Sequence, residues 1–155
     1  MHEALASEWG TPLWKGAPVS RLPTWPELAE ASEKDLLKCR LGYRAKLVKG
    51  TATYLTRHRG FLESLEELPT EEARTALQEL PGVGPKVADC VLLFGYHRMD
   101  AFPMDTWILK ILEEAYGLSG WSRKQLEQFV KAHFGELGGL AQQFLFAQAR
   151  AGRKK

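Results

Sequence analysis

The stretch Leu80-Pro81-Gly82-Val83-Gly84-Pro85-Lys86-Val87-Ala88-Asp89 decides the fold. On its N-terminal side, Thr70 with Glu71 and Glu72 opens a helix predicted to run to Leu80, since acidic residues suit a first turn. The run from Pro81 to Pro85 must break that helix. From Lys86 to about His97 helical spacing resumes, with Val87, Val91 and Phe94 on one side. The expectation is two helices joined by a tight turn. Gly82 and Gly84 alternate in it, both able to take positive φ and to admit another backbone at close range. Val83 is expected to point inward and hold the two helices together. Outward-facing amides and the positive end of the second helix would bind phosphate without reading sequence. A bare Gly-x-Gly turn is equally compatible with a simple corner between helices that binds nothing.

Helical signals extend outward in both directions. Thr24-x-x-Glu27 reads as a capping box with Pro26 in the first turn. Ser32 caps a short helix through Leu37, and Tyr43 to about His58 reads as a long helix weakened at Gly50. Pro12, Pro18 and Pro23 predict an irregular segment before Thr24. Beyond the hairpin, Asp105 begins a helix with Ile108, Ile111, Leu112 and Ala115 as its apolar stripe. Ser122-x-x-Gln125 caps another, with Leu126, Phe129 and Val130 facing inward. Leu140 to Arg150 forms the last, and the basic tail Arg153-Lys154-Lys155 is expected to fray. No alternating run long enough for a strand occurs, so the fold class is all-α. One helical domain over 1–155 is expected, with the helix-hairpin-helix at about 70–98.

Composition narrows the function classes. Hydrophobic residues make up 45% and charged residues 26% of 155, an ordinary globular profile. Two cysteines, Cys39 and Cys90, supply neither a disulfide framework nor a four-thiolate cluster or zinc site. His2, His58, His97 and His133 lack paired-ligand spacing, so no transition metal and no cofactor is expected. A net charge of +2 is compatible with a DNA partner without demanding one. There is no membrane-length apolar run and no signal-peptide pattern, which predicts an intracellular protein with no membrane partner. A monomer is expected.

The full hairpin string resembles the helix-hairpin-helix motif, a DNA-backbone binder. Lys86 follows it directly. Asp105 comes nineteen residues later, in Phe102-Pro103-Met104-Asp105-Thr106-Trp107. The combination resembles the hairpin–Gly/Pro–Asp signature of the base-excision DNA glycosylase superfamily. A lysine at this place implies the bifunctional glycosylase/lyase branch. The chemistry suits the residue types. A deprotonated amine can attack C1′ of the deoxyribose and form a Schiff base once the base has left. Departure of the base builds positive charge on the sugar, which a nearby carboxylate stabilises. Asp105 could also shuttle protons. Taken singly, Asp105 reads as an N-cap and Lys86 as a phosphate contact or a solvated lysine.

The resemblance narrows further. Gly42-Tyr43-Arg44-Ala45-Lys46, Lys86-Val87-Ala88-Asp89-Cys90 and Ala141-Gln142-Gln143-Phe144-Leu145-Phe146 are similar, in order, to segments of 8-oxoguanine DNA glycosylase/AP lyases. That likeness implies a wedge role for Tyr43 and a contact from Arg44 to the orphaned cytosine. Cys90 and Phe146 would flank the flipped base, and Gln142 would hydrogen-bond its edge. DNA contacts are further implied at Gly82, Val83, Gly84 and Lys86. In the superfamily such a hairpin can also hold a monovalent cation, here on the carbonyls of Leu80, Gly82 and Val83. The implied partner is duplex DNA carrying an oxidised purine. The family's N-terminal β-containing domain and first catalytic-region helices, with their Asn-rich segment, have no counterpart in the chain. Trp107 stands where close relatives carry His. Read from the residues alone, a glycosylase for another damaged base and a catalytically silent DNA-binding module remain open.

Overall fold

The computed structural model describes residues 2–151. The tail Arg153-Lys154-Lys155 lies outside them. The described chain is helical: α1 (His2–Trp9), α2 (Trp25–Glu30), α3 (Glu33–Lys38), α4 (Arg44–Arg57), α5 (Phe61–Ser64), α6 (Thr70–Leu77), α7 (Pro85–Gly95), α8 (Thr106–Tyr116), α9 (Arg123–Phe134) and α10 (Gly138–Ala151). A 3₁₀ turn, Gly135–Leu137, leads into α10. The residues form two compact units. One comprises the chain up to Glu67 together with Glu79–Gly82, the other Leu68–Gln78 and the chain from Val83 onward.

In the first unit α2 packs on α4. Leu28, Ala31, Leu36, Cys39, Leu41, Ala45 and Ala52 form its core. The Thr24 N–H donates to the Glu27 carboxylate at 2.6 Å, the reaching-back half of the expected capping box. Arg21 grips the same carboxylate with both terminal nitrogens, each at 2.8 Å. The segment before Thr24 is not irregular throughout. No proline precedes Pro12, so α1 forms there and buries Leu5. The chain turns irregular only afterwards, where Pro12 and Ser20 make an isolated antiparallel bridge. Gly50 does not interrupt α4. A Cβ at Gly50 would come within 3.1 Å of the Pro81 ring, so the small residue serves a close approach. The short helix α5, opened by Gly60 at φ 84°, carries too few residues to show a periodicity in sequence.

In the second unit α6 packs on α7, and α10 packs on α8 and α9. Phe102, Met104, Ile108, Leu112, Leu126 and Val130 make the core. Helix α6 stops at Leu77 rather than Leu80. The Gln78 N–H turns to the carbonyls of Arg74 and Thr75, tightening the last turn. On α8 the expected stripe holds at Ile108 and Leu112, whereas Ala115 is exposed. On α7 the side that bears Val87, Val91 and Phe94 is the more exposed one. Val87 and Phe94 are exposed, and the buried residues are Ala88, Asp89, Leu92 and Leu93. Nearly every position of α7 is apolar, so periodicity alone cannot choose between its faces.

The two hairpin glycines also differ. Gly82 has φ 79°, but Gly84 is extended, at φ −95° and ψ −179°. A Cβ at Gly82 would meet the Leu47 side chain at 2.7 Å, and one at Gly84 would meet nothing within 4 Å. Gly82→Ala is therefore expected to lower stability by about 1–2 kcal/mol or more through the left-handed backbone and the contact. Gly84→Ala should stay within about 0.5 kcal/mol. Urea unfolding of both variants checks this, and equal effects would refute it. A second expectation concerns acid. Arg21, then the Thr24 N–H and hydroxyl, hold the Glu27 carboxyl down at about 2 instead of 4.5. A depressed carboxylate stabilises the fold above its unfolded value and loses that contribution as pH falls through the folded one. Glu27→Gln should therefore flatten the loss of stability between pH 4.5 and about 2, and superimposable acid-unfolding profiles would contradict it.

Candidate active site

Helix α7 begins without a side-chain cap. Its N-cap is Gly84, which has no side chain to satisfy the first amides, and Pro85 follows as the first helical residue. Proline suits that position because its fixed φ is helical and it lacks a donor there anyway. The first intrahelical bond runs from the Ala88 N–H to the Gly84 carbonyl. The Lys86 and Val87 amides are thus left at an exposed, uncapped helix end, and both residues are exposed. Val83 is half-buried rather than fully inward.

Asp105 is placed differently. It is the N-cap of α8, and its Oδ1 accepts from the Trp107 N–H at 3.0 Å and the Ile108 N–H at 2.9 Å. Both bonds fall on one oxygen. Oδ2 has no hydrogen bond among the described residues, so capping fixes the carboxylate while one oxygen stays available. Asp105 is half-buried and Trp107, next to it on α8, is half-buried as well.

The expected base-pocket residues lie in the same unit. Cys90 is half-buried and in no disulfide, one turn after Lys86 on α7. Phe146 on α10 is half-buried against the core, with the Arg150 guanidinium 5.7 Å from its ring centroid. Gln142 on α10 is the most buried of the three. It is 4% exposed, its Nε2 donates to the Pro103 carbonyl at 3.1 Å, and its Oε1 accepts from Gln143. The close packing of α10 against the segment leading into Asp105 draws that amide inward. One Nε2 hydrogen and one Oε1 lone pair remain for any further partner. In the other unit, Tyr43 is 75% exposed just before α4, and the Arg44 guanidinium lies 4.9 Å from its ring centroid.

Among the described residues no group of three or more His, Cys, Asp or Glu is placed to hold a metal ion. Around the turn, Leu80 is buried and Gly82 exposed, and the intervening Pro81 carbonyl already accepts from the Thr51 hydroxyl at 3.0 Å. One polar cluster went unread in the sequence. Asp89 is 3% exposed, and its Oδ1 lies 2.6 Å from Arg74 Nε. An acid falling between Ala88 and Leu92 on a buried helix face was the available signal.

No protein-family profile matches the chain. Individual relatives do. N-glycosylase/DNA lyase OGG1 of Arabidopsis thaliana is 36% identical over 144 residues, which is 84% of this chain and 39% of that protein. The structure of MBOgg1 with a low-affinity DNA ligand superposes with a TM-score of 0.90 at 37% identity, covering 99% of this chain and 53% of that one. The 8-oxoguanine glycosylase/lyase of Clostridium acetobutylicum, bound to duplex DNA with cytosine opposite 8-oxoguanine, gives 0.88 at 35% identity over 97% of this chain and 52% of that one. This chain is a homologue of the 8-oxoguanine DNA glycosylase/lyase family. It spans about two-fifths of the curated relative and about half of the solved structures. A 3-methyladenine DNA glycosylase from Archaeoglobus fulgidus, at 23% identity and a TM-score of 0.72, shares the fold alone. The all-α helix-hairpin-helix glycosylase fold expected from the sequence is the observed one.

Within this glycosylase-family fold, the cap and the free oxygen of Asp105 make separable demands. Asp105→Ala should cost about 1 kcal/mol by removing the cap, whereas Asp105→Asn retains an acceptor and should melt within a few tenths of a kcal/mol of the parent. Thermal melts of the two variants test this. Equal destabilisation would show that capping is not what the carboxylate contributes to the fold.

Proposed function

We propose that this chain acts in base-excision repair, removing an oxidised purine, 8-oxoguanine, from duplex DNA and cleaving the strand through a Schiff base on Lys86. The observation that carries the reading is the pairing of helix starts in one unit. An exposed lysine is the second residue of an uncapped helix, and a carboxylate with one free oxygen caps the next. The open amides of α7, with Gly82, Val83 and Gly84 before them, would receive backbone phosphate. Tyr43 and Arg44 would contact the duplex where the base has been extruded. Cys90 and Phe146 would flank the flipped purine.

In this scheme the Lys86 amine, deprotonated, bonds to C1′ as the glycosidic bond breaks and the base leaves with the bonding electrons. Asp105 stabilises the positive charge that develops on the sugar. The attached amine then gives up a proton, the C1′–O4′ bond breaks with its electrons and a proton going to the ring oxygen, and an imine forms at C1′. Loss of a C2′ proton and departure of the 3′ phosphate complete β-elimination. The reading implies an intracellular, DNA-associated protein acting as a monomer. Among the described residues no helix is long and apolar enough to cross a membrane.

The committed amide of Gln142 favours a second reading of the substrate. A pocket whose glutamine is already bonded to Pro103 and Gln143 could serve a different damaged base on the same Lys86 and Asp105. Borohydride trapping on a panel of lesion duplexes decides. Wild-type protein should form a covalent adduct fastest with 8-oxoguanine, Lys86→Gln should form none, and Asp105→Asn should bind duplex but react about a hundredfold slower or worse. An adduct that persists in Lys86→Gln overturns the proposed nucleophile. A preference for thymine glycol or methyladenine overturns the proposed base.

A further inference from the structure

Asp89 is a charged residue on a helix face otherwise made of Ala88, Leu92 and Leu93. Its carboxylate is held from two helices. Arg74 Nε on α6 lies 2.6 Å from Oδ1, and Arg123 Nη2 on α9 lies 3.8 Å from Oδ2. Each arginine is in turn steadied by an acid on its own helix, Arg74 by Glu71 and Arg123 by Glu127 at 2.8 Å. The carboxylate of α7 is thus hydrogen-bonded from α6 and faced by a second, more distant cation on α9. A cavity of about 740 Å³ opens beside the cluster, with Arg74, Asp89, Lys124 and Lys131 in its wall. None of Lys86, Cys90, Asp105, Gln142 or Phe146 lines it.

Two directions of titration pull apart here. Burial pushes the Asp89 carboxyl above the usual carboxylate range, against Arg74 and Arg123. Burial also works against the Arg74 charge, but Glu71 and Asp89 outweigh it and raise the guanidinium. The short contact to a guanidinium that stays charged decides for an ionised pair. Such a pair repays its desolvation poorly as a source of stability, and apolar residues of similar size often do as well. What it adds is direction. The hydrogen bond from Arg74 Nε to Oδ1 favours one placement of the carboxylate, whereas a leucine would tolerate rotation of the helix.

Lys86 and Asp89 are three residues apart, adjacent on the surface of α7. We propose that the Arg74–Asp89–Arg123 cluster is a positioning device, fixing the rotation of α7 about its axis so that Lys86 is held in line for attack. Asp89 touches no substrate and acts through Lys86. The inference rests on the reading of Lys86 as nucleophile, and the test separates the two.

Three proteins are compared on an 8-oxoguanine duplex: wild type, Asp89→Asn, and the double variant Arg74→Leu with Asp89→Leu. Melting temperature, duplex Kd, single-turnover borohydride trapping and amide hydrogen exchange in α7 are measured. Removing both charges should return the melting temperature to near the wild-type value. Trapping should nonetheless slow about tenfold to a hundredfold in both variants at unchanged Kd, because misplacing a reacting group costs rate rather than binding. A double variant that melts and traps like wild type overturns the positioning role and leaves a structural ion pair. Wild type that traps no adduct overturns the Lys86 reading instead. The cluster is then judged on exchange alone. Faster exchange at residues 88–93 relative to α9 in the variants supports it, and unchanged exchange overturns it.

Discussion

A buried carboxylate must be answered by a fixed cation or bear a desolvation cost of several kcal/mol. Asp89 sets that condition for the second unit. Once α7 turns Ala88 and Leu92 inward, Asp89 goes with them, three positions from Lys86. Arg74 must then approach from α6 and Arg123 from α9. The hairpin helices are therefore joined by a directional contact as well as by packing. The more exposed arc of the helix, with Val87 and Phe94, is left outside this arrangement. Lys86 and Cys90 come out at the border between the two arcs, where a side chain can be anchored and still reach solvent.

The treatment of helix starts divides the unit's chemistry. Ser122 and Asp105 cap α9 and α8 with side-chain oxygens, which satisfies amides and fixes the rotamer of the capping residue. At α7 the cap is a glycine, so the amides of Lys86 and Val87 remain for an outside acceptor. A serine at position 84 would compete for those amides. An open helix end costs local stability, and a phosphate is the ligand class that would recover it. The same physics thus makes one helix start rigid and carboxylate-bearing, and the other receptive to anions.

Much of this was legible in the sequence because it depends on local rules. Ser32, Asp105 and Ser122 cap the helices they precede, and Pro81 through Pro85 separates α6 from α7, all of which follows from residue types within four positions. What was not legible depends on distant partners. The apolar residues of α7 lie nearly all round it, so the buried face is settled by α6 and α9 rather than by the helix itself. Pro85 after Gly84 favours the extended backbone found there, but nothing local marks Gly82 as the crowded glycine. Only the Leu47 side chain, far away in sequence, makes the left-handed glycine the crowded one. Gln142 reads as a free polar residue on an amphipathic helix, and its partner at Pro103 is 39 residues away.

That last contact bears on how recognition and chemistry are related. Pro103 stands two residues before Asp105 in a buried run, Ala101 through Met104, that has no regular structure of its own. A backbone carbonyl in such a run must find a donor within the protein. At Pro103 the donor is the Gln142 amide of α10. The bond therefore helps to deliver Asp105 to the start of α8. A substrate edge that competed for the same amide would loosen the carbonyl it supports, two residues from the charge that catalysis is proposed to use. Selectivity gained at Gln142 would then cost order at Asp105, unless the base is read by the other lone pairs and donors of the amide. The Gln143 bond to Oε1 constrains that choice further, because it leaves the second hydrogen of Nε2 as the donor best placed to serve a base without disturbing Pro103.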